Sequence, residues 1–262
     1  MDLTRRTLVK VPEITALFWI TKLLTTAMGE STSDYLVNAV SPVAAVAVGT
    51  LVLLGVVTFQ IRQDRYIPWV YWLAVLLVAI VGTMAADVLH KQFGVPYAAS
   101  SVFFAVVLAA AFLAWYRVEG TLSIHSIDTV RRELFYWVAV MATFAMGTAL
   151  GDYTASTLDL GYLASAFLFA GLLLIPAIGF RWLRMNEVLA FWFAYILTRP
   201  LGASIADWLG KPKDRSGVGL GDGPASVVFA VLIVACVALM TRSWRRTPAA
   251  GARTGDLTGP AD

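Results

Sequence analysis

At 262 residues the chain carries 14% charged residues against 59% hydrophobic ones, and its mean hydropathy is +0.74. Soluble domains carry about 25% charged residues, so this composition excludes a soluble globular protein and points to a lipid bilayer. The formal net charge of +3 is scattered over short connections with no basic soluble surface, which excludes nucleic acid as a partner.

Eight apolar runs stand near residues 14–37, 43–61, 68–89, 97–116, 134–154, 161–181, 187–209 and 224–242. Each approaches the roughly 20 residues that a helix needs to cross a hydrocarbon core of roughly 30 Å. Strand-sized alternation is missing, so a β-barrel is not expected. The composition predicts an all-α membrane protein with eight transmembrane helices. Residues 1–246 would form one polytopic domain, and 247–262, rich in Ala, Gly, Thr and Pro, a disordered cytoplasmic tail.

Residues 1–12 are a polar lead ending at Pro12. The first apolar run is too long and too polar for a cleavable signal. It carries Lys22, Thr25, Thr26, Glu30, Ser31, Thr32, Ser33 and Asp34. At the helical period, Trp19, Lys22, Thr26, Glu30, Ser33 and Asp34 share an arc of about 120°, a face that must meet protein or water. The second run, after Pro42, is plainly apolar. The third carries Thr83 and Asp87, with His90 and Lys91 in its exit loop. Pro96 precedes the fourth. The connection 117–133 separates two halves. The fifth run carries Thr143, Thr148 and Asp152. The sixth contains Pro176, which is expected to interrupt it. The seventh carries Thr198, Arg199, Pro200 and Asp207. Gly217, Gly219, Gly221 and Gly223 then suggest a flexible turn into the eighth.

One spacing recurs four times. Trp19, Trp72, Trp137 and Trp192 are each followed ten residues later by Gly (Gly29, Gly82, Gly147, Gly202) and fifteen later by Asp (Asp34, Asp87, Asp152, Asp207). Four copies without a slip mark internal repeats near 13–62, 66–117, 131–182 and 186–243. Each is a polar helix followed by an apolar one. Two spans per repeat make the repeats parallel rather than inverted. The polar helices are expected inside and the apolar ones against lipid. Lys and Arg gather on one side, at Arg5, Arg6, Lys10, Arg62, Arg65, Arg117, Arg131, Arg132, Arg181, Arg184, Arg242, Arg245, Arg246 and Arg253. Lys91, Lys211, Lys213 and Arg215 fall on the other, so both termini are expected in the cytoplasm.

Val11-Pro12-Glu13-Ile14-Thr15-Ala16-Leu17-Phe18-Trp19, Gly29-Glu30, the Trp/Gly/Asp sets, Asp207-Trp208-Leu209 with Lys211-Pro212, and Gly217-Val218-Gly219-Leu220-Gly221 together resemble a bacterial family of uncharacterised membrane or membrane-anchored proteins. That family is built from four tandem two-helix repeats of unknown function. The resemblance covers about residues 11–245. It implies the repeat architecture and a bacterial inner (plasma) membrane, and it brings no activity.

The polar face carries the chemistry. At 1.5 Å per residue, each Asp sits about 22 Å from its Trp, and Glu30 and Arg199 lie about 6 Å apart along the axis. Glu30 is the expected partner of Arg199, with Lys22 as the alternative partner of Glu30. Pro200 removes a backbone donor and would free the Ile196 carbonyl, as broken transporter helices do at ion sites. Glu30, Asp34, Asp87, Asp152 and Asp207 face two bases, Lys22 and Arg199, which leaves a formal excess of −3 and favours a cation. Carboxylates with hydroxyls from Thr26, Thr83 and Thr148 suit a proton or a hard cation such as Mn²⁺ or Mg²⁺.

The expected function is a small-cation transporter or exporter, coupled to protons, with no reaction catalysed and no cofactor. Two alternatives stay open: a structural or binding membrane protein whose polar stripe locks helices, and a quinone- or lipid-linked enzyme. His90 and His125 lie on opposite sides, which speaks against a two-histidine haem site. Cys236, the single cysteine, excludes an intrachain disulfide and thiolate metal clusters.

Overall fold

The computed structural model describes residues 9–246, with side chains as far as 242. Among the described residues are eight long helices: α1 (Ala16–Ala39), α2 (Pro42–Ile61), α3 (Pro68–Lys91), α4 (Tyr97–Glu119), α5 (Val130–Asp152), α6 (Gly161–Trp182), α7 (Glu187–Gly210) and α8 (Asp222–Arg246). α5 continues into a π turn, Tyr153–Thr157. The expected tail 247–262 lies outside the described residues.

Local chemistry sets the odd-numbered helices' starts. A helix leaves its first N–H groups without partners, and a polar cap or a proline resolves that. Thr15 Oγ1 accepts the Phe18 N–H at 3.2 Å, and Thr129 Oγ1 accepts the Arg132 N–H at 3.3 Å. Asn186 Oδ1 accepts from Val188 and Leu189 at 3.0 and 3.2 Å. α3 begins without a side-chain cap, on Pro68, which lacks the N–H that would be orphaned there.

Among the described residues, seven helices are long and apolar enough to cross a membrane. The exception is α1, which is as long as α3 and α7 at 24 residues but too polar. Its Lys22, Thr25, Thr26, Glu30, Ser33 and Asp34 are buried among the other helices. In α3, α5 and α7, 67% of the most apolar window is buried, against 11–28% in α2, α4, α6 and α8. The first helix of each repeat therefore forms the interior, and the second presents apolar side chains such as Val43, Val106, Phe167 and Val231 outward.

The odd helices close a ring, α1 on α3, α3 on α5, α5 on α7, and α7 back on α1. Each even helix covers the first helix of the following repeat: α2 on α3, α4 on α5, α6 on α7, and α8 on α1. No repeat completes its own interior. The last returns to the first, so the four units interlock as a closed cycle.

Two sequence expectations are corrected here. Pro176 and Pro200 do not break α6 or α7, which run through them. Packing holds α7 on course, since Gly147 and Gly151 of α5 lie directly against Pro200. The glycine-rich loop is not a free turn. Its N–H groups at Gly219, Leu220 and Gly221 return to the carbonyls of Lys211, Leu209 and Gly210 at 2.8–3.1 Å, satisfying the end of α7. Gly219 and Gly221 take φ of +88°, which glycine adopts without strain.

Candidate functional site

The interior of the ring reads as layers from the Trp end to the Asp end. At the Trp end, Phe18, Tyr71, Tyr136 and Phe191 meet from all four odd helices, all of them buried. Tyr71 and Tyr136 share a hydrogen bond through their hydroxyls. Trp72, Trp137 and Trp192 are buried beside them rather than set at a lipid interface, and Trp192 Nε1 donates to the Leu122 carbonyl at 2.9 Å. These tryptophans are packing residues.

One turn further in, Lys22 is fully enclosed. Its Nζ lies 4.3 Å from the Phe144 ring centroid and 4.2 Å from that of Tyr195. It has no hydrogen-bond partner among the described residues. Lys22 is thus not the partner of Glu30; two aromatic faces hold it instead, as a cation is held over ring quadrupoles.

The next layer explains the repeated glycines. A Cβ on Gly29 would overlap Ala79, one on Gly82 would come within 2.7 Å of Phe144 Cβ, one on Gly147 would overlap Arg199, and one on Gly202 would overlap Thr26. Ala79, Phe144, Arg199 and Thr26 all stand seven residues after their own Trp. Each repeat's glycine therefore receives the equivalent side chain of the next repeat, and the fourth closes on the first. Small residues let membrane helices approach in this way.

Arg199 uses that opening to cross the axis. Its Nη2 donates to Glu30 Oε2 at 2.7 Å, to Thr148 Oγ1 at 2.6 Å and to Thr83 Oγ1, while Nη1 donates to the Thr26 carbonyl at 3.3 Å. Glu30, Thr83 and Thr148 all stand eleven residues after their Trp; the fourth copy, Ala203, has no polar group. Thr83 and Thr148 donate their own hydroxyl protons to the carbonyls of Ala79 and Phe144, which leaves lone pairs for the guanidinium. Arg199 is fully buried and closes the axis at this level.

At the Asp end the four aspartates separate into unequal environments. Lys91 Nζ pairs with Asp87 Oδ2 at 2.9 Å and reaches Asp34 Oδ1 at 3.6 Å. Lys211 Nζ pairs with Asp34, and lies 3.6 Å from Asp207 Oδ1 and 3.4 Å from Asp222 Oδ2. Burial works against the Lys211 ammonium, yet the Asp207 and Asp34 carboxylates beside it hold its pKa above the ordinary lysine value. Asp152 is only partly buried and has no ion pair among the described residues. Glu30, Asp34 and Asp207 each offer an oxygen, all three within 4.8 Å of one another.

The family described as Repeat of Unknown Function (DUF347) matches residues 17–66, 70–121, 135–185 and 190–246. The chain belongs to the DUF347 family. No curated protein and no solved structure matches it.

Within the DUF347 repeat, then, glycine at the tenth position after Trp is the socket and the seventh position is the peg. Residues outside the sequence-derived stripe complete the site. Lys91 and Lys211 each stand four residues after a repeat Asp, the spacing that pairs side chains on a helix face. With them and with Asp222, which lies beside Lys211, six acids face four cations, and the formal excess of three negative charges falls to two. At the Trp end the added group is Glu133. Its Oε2 pairs with Lys10 Nζ at 3.0 Å, and its Oε1 accepts from Gln60 Nε2 at 3.1 Å.

Proposed function

We propose that this DUF347 protein is a proton-coupled transporter of a small cation in the bacterial inner membrane, with both termini cytoplasmic. The observation that carries the reading is the buried set of Glu30, Asp34 and Asp207, in which one carboxylate oxygen from each lies within 4.8 Å of the other two. Oxygen-only ligands of that kind suit a proton or a hard divalent cation. In this reading Asp87 and Asp152 complete the ring and Arg199 is the tethered plug, which must leave Glu30 before an ion can pass. The protein moves its substrate unchanged and catalyses no reaction.

A second reading is favoured by the lysines. Lys91 and Lys211 pair with three of the four repeat aspartates, as they would in a non-transporting protein locked by its polar interior. Flux of protons and of Mn²⁺ or Mg²⁺ into proteoliposomes separates the two. The transport reading expects wild-type flux that Asp87→Asn and Glu30→Gln abolish at a temperature below the lowered unfolding midpoints of both variants. Absence of any wild-type flux leaves the locked-helix reading.

A further inference from the structure

The two ends of the ring are closed by the same chemistry. At the Asp end a buried carboxylate, Asp34, holds the ammonium of Lys211, which lies just past the end of α7. At the Trp end a buried carboxylate, Glu133, holds the ammonium of Lys10, which comes from the extended strap ahead of α1. Glu133 is 1% exposed, and it stands on the α5 face that also carries Val140, Phe144 and Thr148. Phe144 covers Lys22, and Thr148 holds Arg199, so this is the inward face.

The strap is seated by more than one bond. Lys10 Nζ also donates to the Ile61 carbonyl at 2.7 Å, and the Lys10 N–H donates to Ile127 at 3.1 Å. Val11 is buried in the cluster that contains Tyr71, Trp72 and Tyr136. Ile61 ends the first repeat, Glu133 begins the third, and Ile127 lies in the connection between the halves. The strap thus ties together three parts of the chain over the aromatic layer.

We propose that Glu133 is the cation- or proton-accepting acid at the Trp end of the axial path, and that the 9–15 strap is a lid held shut on it by Lys10. The tethered ammonium stands where the mobile cation would. This rests on the transport reading for its cargo and not for the latch itself.

The latch is tested first. In full-length protein with Cys236→Ala, Val11→Cys is labelled by a membrane-impermeant maleimide. Adding Lys10→Met or Glu133→Gln should speed labelling by about tenfold or more, because losing one buried ion-pair partner raises the open population. Lys10→Arg, which keeps the charge and the donors that meet Glu133 and the Ile61 carbonyl, should keep labelling slow. Wild-type rates in Lys10→Met and Glu133→Gln, or a Lys10→Arg protein labelled as fast as they are, overturns the latch. Cation or proton flux is then read on the same proteins. Faster flux in Lys10→Met places the lid on the path; unchanged flux with fast labelling overturns that placement. If the wild type moves no ion, the transport reading and the role of Glu133 as an acceptor fall together, while labelling still decides the latch.

Discussion

Gly147 packs against the aliphatic stem of Arg199, and a single Cβ at that position would overlap both Cβ and Cγ of the arginine. The glycine on one helix is thus what allows a guanidinium on the next to reach the axis. The same geometry, without the charge, recurs at Gly29 on Ala79, Gly82 on Phe144 and Gly202 on Thr26.

Substituting these sockets should therefore cost stability in proportion to how rigid the peg is. Gly29→Ala and Gly82→Ala meet Ala79 and Phe144 Cβ atoms, which cannot swing away. Overpacking of this kind costs about 1–3 kcal/mol. Gly171→Ala, on α6 with nothing within 4 Å, should not destabilise. Thermal unfolding in detergent compares the three. Equal midpoints would remove the socket argument.

Arg199 and Glu30 should behave as a buried pair. Glu30→Gln alone leaves a guanidinium enclosed with only hydroxyl and carbonyl acceptors, and should destabilise by about 3–5 kcal/mol. Arg199→Met with Glu30→Leu removes both charges and should cost less than either single change. A double-mutant cycle measures this. Additive single effects would show that the two side chains do not depend on each other.

Much of the architecture was legible because the repeat is written in residue types that membrane burial restricts. Trp, Gly and Asp at fixed spacing gave the repeats, and the helical rise set Glu30 near Arg199 in depth. The ends were not legible. Lys91 and Lys211 read as loop charges, since a sequence does not tell whether a long side chain bends back onto its own helix. Lys10 and Glu133 are separated by 123 residues, and no periodicity links them. Pro200 looked like a break because the rule for proline concerns an isolated helix; here Gly147 gives its ring a place inside the bundle, and Gly151 lies against its backbone.

Lys211 offers a test in pH. Its folded-state pKa is raised above the ordinary lysine value by Asp207 and Asp34, against the opposing effect of burial. A raised value means that the stability it contributes is fully present below the ordinary value of about 10.4, and is lost only as pH rises through the higher folded value. The difference in unfolding midpoint between wild type and Lys211→Met should therefore stay constant from neutral pH to about pH 10. A difference that shrinks within that window would show that the ammonium is not held by its carboxylates.

Asp152 separates function from structure most directly. It occupies the same repeat position as Asp34, Asp87 and Asp207, but no ion pair reaches it among the described residues, and it is only partly buried. Asp152→Asn is nearly isosteric and breaks no salt bridge, so its stability cost should stay within about 1 kcal/mol. Asp87→Asn, by contrast, strips a carboxylate from Lys91 and should be more costly. If the ring conducts a cation, Asp152→Asn should lower flux despite this near-neutral stability, because a path needs the charge whether or not the fold does. Flux measured in proteoliposomes, beside unfolding midpoints for the same variants, checks both halves. Wild-type flux in a stable Asp152→Asn protein would take Asp152 out of the path and confine the ring to Glu30, Asp34, Asp87 and Asp207.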